Sequence, residues 1–269
     1  MIKLNLRDKN FCGEPSCCHR GKNKNIEWIR ENVLVSKSCF ITDLCLPDIQ
    51  KAKAIKRSIA WLLEPRAIHP FTYDFIEKNH KLYDFVLTYD KNLLELGKNF
   101  LFYPHGRCWI QHSIPIVKNK MCSIIASKKC STIGHRMRHD VANSFKGKVD
   151  LYGNAYKEIK DTDEALAPYY YSVTIENSQQ DYYFTEKLID CFETKTVPIY
   201  WGCPSISKFF NTDGMIIFND LNELSNILTS LTASQYQKML PAIEDNYLKA
   251  QKYLIPEDWM YDNLSFLMD

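Results

Sequence analysis

The chain has 269 residues, 45% of them hydrophobic and 13% aromatic, with 34 basic residues against 32 acidic ones. That size and apolar content suit one large or two small globular domains with real cores. The balanced charge leaves neither a basic stripe for nucleic acid nor an acidic solvating tail, and no uninterrupted apolar run approaches the ~18 residues that would span a bilayer.

Strands and helices alternate along the chain. Residues 2–6, 38–44 and 58–63 pattern as strands, 71–80 as a helix, 85–88 as a strand, 93–97 as a short helix and 100–103 as a strand. After the stretch 108–120, which holds Pro115, the pattern restarts with a strand at 123–127, a helix at 135–145 and a strand at 149–152. Residues 170–211 read as strand, polar loop, helix, strand, turn and helix; 215–218 follows as a strand and 221–231 as a helix. Residues 235–254 and 258–267 pattern as helices, with Pro256 between them. Such alternation argues for parallel sheets covered by helices. The restart divides the chain into an N-terminal α/β lobe over 1–115, a second α/β lobe over 116–232 facing it, and C-terminal helices over 233–269 that pack back across both.

The first ten residues, MIKLNLRDKN, are charged and lack the apolar core of a signal peptide, which leads to the expectation of a soluble intracellular protein. Cys122 and Cys191 lie within apolar patterns and read as buried thiols. Cys12, Cys17, Cys18 and His19 cluster, but C-x4-C-C-H is not a familiar ligand spacing, and a reduced, loop-rich segment is the simpler reading. The basic run at 51–56 reads as solvated surface, and His69 and His105, in Pro-containing aromatic segments, read as structural.

The most informative stretch is 170–211. Ligands of open α/β sheets bind at the carboxyl ends of strands, and helix starts attract phosphate. A helix beginning near Tyr183 would turn Phe184, Leu188 and Phe192 to the sheet and Tyr183, Glu186, Lys187 and Asp190 away from it. Tyr183, Glu186 and Lys187 would then be neighbours in a first turn that also offers bare amides and positive dipole character. A cation beside bare amides suits a diphosphate, a carboxylate beside them suits a ribose diol, and Asn177 at the preceding strand end suits a sugar hydroxyl. An amphipathic helix with a charged solvent face would show the same residues.

Glu176-Asn177-Ser178, then Tyr183-x-Thr185-Glu186-Lys187-Leu188, then Val197-Pro-Ile-Tyr-Trp-Gly-x-Pro204 resembles the donor-binding signature of family 10 glycosyltransferases, the α-1,3-fucosyltransferases. The resemblance implies an α/β protein of the GT-B fold with two Rossmann-like lobes, GDP-fucose as donor, no tightly bound cofactor, and inversion at the sugar carbon. It implies that Asn177 lies near the fucose, Glu186 binds ribose, Lys187 binds phosphate and Tyr183 contacts the donor. The family's phosphate-binding arginine stands on a helix before a strand reading like Val149-Asp150-Leu151-Tyr152-Gly153, so both Arg136 and Arg138 are candidates. The family's arginine carries apolar residues three and seven positions later, a pattern that Arg138 meets with Val141 and Phe145 and that Arg136, followed by His139 and Asn143, does not, so the resemblance favours Arg138.

Trp61-Leu62-Leu63-Glu64-Pro65 ends an apolar strand with a carboxylate, and Glu64 is the counterpart of the family's general base, although Pro65 follows directly where the family often has Glu-Ser-Pro. The expected partners are a nucleotide sugar and an oligosaccharide or glycoconjugate acceptor, with no nucleic acid and no integral membrane segment. The resemblance is to the short members from bacteria or viruses, which implies the cytoplasm of a bacterial or virus-infected cell. Asp161-Thr162-Asp163 has the two-acid pattern of metal-dependent sugar transferases, but it sits in a polar loop and helix start, and no metal is expected there. A GT-B transferase using another nucleotide sugar, or a non-catalytic sugar-binding protein on that scaffold, would share most of these features.

Overall fold

The computed structural model describes residues 1–9, 23–30, 33–51 and 55–268. The cluster Cys12, Cys17, Cys18 and His19 lies outside the described residues, as does the middle of the basic run at 51–56. The chain divides into two compact units, one of Met1–Arg107, Asp181–Tyr183 and Ile255–Asp269, the other of Cys108–Gln180 and Phe184–Leu254.

The first unit is built on a six-stranded sheet of β1 (Ile2–Arg7), β2 (Ile26–Ile29), β3 (Ser38–Thr42), β4 (Arg57–Trp61), β5 (Phe85–Thr88) and β6 (Phe100–Phe102), in the order β2-β1-β3-β4-β5-β6. Every pairing is parallel. Parallel neighbours need crossovers, and helices α1 (Pro70–Asn79) and α2 (Lys91–Leu94) supply two of them. Pro70 opens α1 where its missing N–H costs nothing. Asp90 caps α2 by accepting from the amides of Asn92 and Leu93.

Side chains alternate across this sheet. Phe40, Ile59 and Trp61 join a core closed by Met260 and Leu264 of the C-terminal helix. Cys39, Ile41 and Ala60 point the other way, onto Tyr73 and Ile76 of α1. Both faces are covered, so β3 and β4 read as apolar runs rather than as alternating ones.

The second unit holds β7 (Lys120–Ile125), β8 (Asp150–Tyr152), β9 (Tyr169–Ile175), β10 (Val197–Trp201) and β11 (Ile216–Ile217) in the order β11-β10-β9-β7-β8, again all parallel. Its helices are α3 (Ile133–Ser144), α4 (Asp163–Leu166), α5 (Glu186–Glu193), α6 (Leu221–Ser230) and α7 (Ala233–Ala250). The last helix, α8 (Pro256–Leu264), belongs to the first unit, where it packs on β2, while α7 packs on α5 in the second. The chain leaves β7 through α3 towards β8 on one side, and leaves β9 through α5 towards β10 on the other. The neighbours β7 and β9 therefore bound a topological switch point, where a crevice opens at strand carboxyl ends.

Three expectations need correction. The strand expected to run to 44 ends at Thr42, because Asp43 takes a left-handed backbone (φ 25°) and starts a 3-10 segment. The helix expected from Tyr183 begins at Glu186, because Thr185 is extended (φ −128°, ψ −170°) and caps it. The last element of 170–211 is a single 3-10 turn, Ile206–Lys208. Strand β2 carries no alternation long enough to be read from four residues.

Candidate functional site

At the switch point of the second unit, the first turn of α3 lies directly on the chain leaving β9. Gly134 makes this approach possible: a Cβ there would fall 1.7 Å from the carbonyl oxygen of Glu176. The Gly134 amide donates to the Asn177 carbonyl at 3.1 Å. One turn further, Arg138 is buried and reaches back to the same strand end. Its Nε and Nη2 donate to the Ile175 carbonyl at 2.9 and 2.7 Å, and Nη2 donates to Oδ1 of Asn177 at 2.8 Å. Arg136 behaves differently: it is exposed, and its Nη1 donates to the carbonyls of Cys130 and Ser131 at 3.2 and 3.3 Å. The structure thus brings Arg138 and Asn177 together and holds Arg136 on its own loop.

The start of α5 is tied to the same strand end by Glu176, which is fully buried. Its Oε1 accepts from the Thr185 amide at 2.9 Å and its Oε2 from the Thr185 hydroxyl at 2.7 Å. Thr185 Oγ1 in turn accepts from the amide and the Nζ of Lys187 at 3.3 and 3.2 Å. Lys187 Nζ donates to Oε1 of Glu186 at 2.7 Å and lies 4.0 Å from Oε2 of Glu176. The Lys187 side chain is 27% exposed and Glu186 is buried, so the amine is held at the helix mouth and not in bulk solvent. Burial raises the Glu176 carboxyl above the ordinary range and the Glu186 charge adds to that, while Lys187 and the Thr185 donors oppose it. The turn after β10 also closes on this carboxylate: a Cβ at Gly202 would fall 2.6 Å from Glu176 Cγ.

His135 is a third group here. It is 3% exposed at the start of α3, and Arg138 and Lys187 are among the charges acting on it.

The remaining candidates stand in other surroundings. Tyr183 is a residue of the first unit, lies two positions before Thr185, the N-cap of α5, and is 1% exposed. Its ring stacks on His105 (6.0 Å, 25°) and packs against Tyr89 (5.1 Å, 31°), so its bulk fills an aromatic cluster of that unit. Asp163 of the two-acid pattern is buried and accepts from the amides of Gln111 and Ser113 and from the Ser113 hydroxyl, at 3.1, 3.2 and 3.0 Å. It fixes a loop. Among the described residues no group of three or more His, Cys, Asp or Glu side chains is placed to hold a metal ion, and no helix is long and apolar enough to cross a membrane.

Glu64 follows β4 in the first unit and is half-buried. Asp43 pins this strand end, its two carboxylate oxygens accepting from the amides of Leu63 and Glu64 at 2.9 and 3.0 Å. The Tyr73 hydroxyl donates to the Glu64 carbonyl at 3.0 Å. Asp43 makes these two bonds from a left-handed backbone (φ 25°).

Sequence reasoning gave no role to Glu176, Thr185, His135 or Asp43, although Glu176 and Thr185 stand in the quoted signature beside Asn177 and Glu186.

Residues 116–249 match the family model described as glycosyltransferase family 10 (fucosyltransferase), C-terminal region. The chain is 29% identical over 158 residues to the alpha-(1,3)-fucosyltransferase FucT of Helicobacter pylori, a match covering 56% of this chain and 32% of that protein, so it spans about a third of the relative's length. A crystal structure of an alpha1,3-fucosyltransferase covers 100% of this chain and 89% of its own, with a TM-score of 0.61 at 17% identity. A structure of alpha1,3-fucosyltransferase with GDP-fucose gives a TM-score of 0.59 at 16% identity, over 100% of this chain and 90% of its own. These likenesses establish the fold as α/β of the GT-B class, with two parallel sheets covered by helices. Residues 116–249 thus form a glycosyltransferase family 10 (fucosyltransferase) domain.

Proposed function

We propose that this protein transfers L-fucose from GDP-fucose to a hydroxyl of a glycan acceptor, inverting the anomeric centre without a metal ion. The observation that carries the proposal is the convergence, at one switch point, of Arg138, Asn177, Glu186 and Lys187 on the ends of β9, α3 and α5. The family to which residues 116–249 belong, and the GDP-fucose held by a structural relative, support the choice of donor.

In this reading Lys187 and Arg138, with the amides that open α5, stabilise the negative charge that builds on GDP as the glycosidic bond breaks. The Glu186–Lys187 pair keeps both side chains ordered before donor arrives, and the donor then takes the amine with its phosphates and the carboxylate with its ribose. Asn177, oriented by Arg138, addresses the sugar. Tyr183 contacts the donor, as the family pattern suggests. Glu64 accepts the proton of the attacking acceptor hydroxyl.

The test is a thermal-shift panel of GDP- and UDP-sugars followed by transfer assays with GDP-fucose on an oligosaccharide array. Selective stabilisation by GDP-fucose and fucosylated product are expected. Stabilisation by a different nucleotide sugar would replace the donor, and binding without turnover on any acceptor would make the chain a binding protein.

A further inference from the structure

The proposed roles leave the buried side chain of His135, beside these strand ends, unused. Helix α3 opens with a capping box in which Thr132 Oγ1 accepts from the His135 amide at 3.1 Å and His135 Nδ1 accepts from the Thr132 amide at 3.3 Å. The usual residue in that second position is Glu or Gln. A backbone amide can only donate, so Nδ1 carries the lone pair and the ring proton sits on Nε2. Nδ1 also lies 3.2 Å from Ser131 Oγ, and Nε2 makes no hydrogen bond among the described residues.

We infer that His135 is a further ligand-binding residue of the nucleotide-sugar site, its neutral imidazole closing the α3 cap through Nδ1 and presenting Nε2–H to the donor diphosphate. The inference rests on the nucleotide-sugar reading above. Three observations carry it. His135 stands next to Gly134, whose backbone touches Glu176 and Asn177. Arg138 lies three positions later and so shares its face of α3. A capping carboxylate here would stand among the charges of Arg138, Lys129 and Lys187 and offset the cations a diphosphate needs, whereas imidazole caps without that offset. Burial, reinforced by those cations, pushes the imidazole down to about 4, so the ring stays neutral at physiological pH.

The test compares the full chain with H135E and H135Q. Both replacements restore a standard capping box, so melting temperatures should stay within about 2 °C of wild type. By calorimetry, H135E should weaken GDP binding at least tenfold, while H135Q, which keeps the cap and a side-chain N–H, loses distinctly less. In 15N spectra of the wild-type imidazole, saturating GDP should move the Nε2 resonance of His135 and leave Nδ1 in place. GDP affinity unchanged in H135E, or an unmoved Nε2 resonance at saturation, would show that His135 only caps the helix. Failure of the wild type to bind GDP at all would instead remove the nucleotide-sugar reading, and this inference with it.

Discussion

Glu176 and Thr185 are joined twice, amide to Oε1 and hydroxyl to Oε2, at 2.9 and 2.7 Å. A fully buried carboxylate at the end of β9 thereby caps the residue that caps α5. The position of the Glu186–Lys187 turn is set by the strand and not by the helix alone.

E176A should therefore be among the most damaging single changes in the second unit. It strands two buried donors and leaves a void, a loss of about 2–4 kcal/mol by analogy with other unsatisfied buried groups. Denaturant unfolding would measure it. E176Q keeps the volume and one acceptor and should cost far less. The sign of its pH dependence follows from burial, which raises the wild-type carboxyl. The stability this group contributes is fully present below its unfolded value of about 4.3 and is lost as pH rises through the folded value. The wild type should accordingly lose ground against E176Q as pH rises from 4 towards 7, and a parallel pair of stability–pH curves would contradict the assignment.

The two arginines of α3 should separate cleanly. Arg138 serves the Ile175 carbonyl and Asn177 together through a planar fork. A lysine has one nitrogen and cannot reproduce it. R138K should destabilise the second unit by about 1–3 kcal/mol and weaken GDP binding at least tenfold. R136A removes only bonds to exposed loop carbonyls and should stay within about 0.5 kcal/mol of wild type in stability. Equal losses from R138K and R136A, read by denaturation and calorimetry, would mean that the burial of Arg138 carries no weight.

The preference for Arg138 over Arg136 rests on the family pattern of apolar residues three and seven positions later, and Val141 and Phe145, which meet it, are both in the core. Strand β10 was legible because a strand with parallel neighbours on both sides is apolar throughout. The start of α5 was not. Tyr183 and Phe184 extend the apolar pattern past the cap, yet the Tyr183 ring is spent on His105 and Tyr89 in the other unit, a demand no local period reveals. Glu176 was invisible for a related reason. An acid at a strand end ordinarily meets water, and what encloses this one, Thr185 and Gly202, arrives from later in the chain.

Glu186 and Lys187 should be separable by the ligand used to probe them. K187A removes a charge-assisted bond to phosphate and should weaken both GDP and inorganic pyrophosphate, by about 10- to 100-fold. E186Q breaks the 2.7 Å pair and releases the amine, but it also loses the proposed ribose contact. It should weaken GDP about tenfold while leaving pyrophosphate binding equal or tighter. Calorimetric titration of both ligands decides the matter, and E186Q losing pyrophosphate as severely as K187A does would place Glu186 in the architecture of the turn.

For Glu64 the expected outcome is a split between binding and turnover. E64Q preserves shape and the backbone bonds to Asp43 and Tyr73, so donor affinity should be unchanged. Loss of a general base should lower transfer by about 10²- to 10⁴-fold. D43N acts one step removed. One of its two backbone acceptors becomes an amide nitrogen facing an N–H, so the strand end carrying Glu64 loosens. Transfer should fall less than in E64Q, with donor affinity again intact, and the double variant should be no slower than E64Q alone. A D43N/E64Q enzyme whose loss is the product of the two single losses would show that Asp43 acts on something other than Glu64.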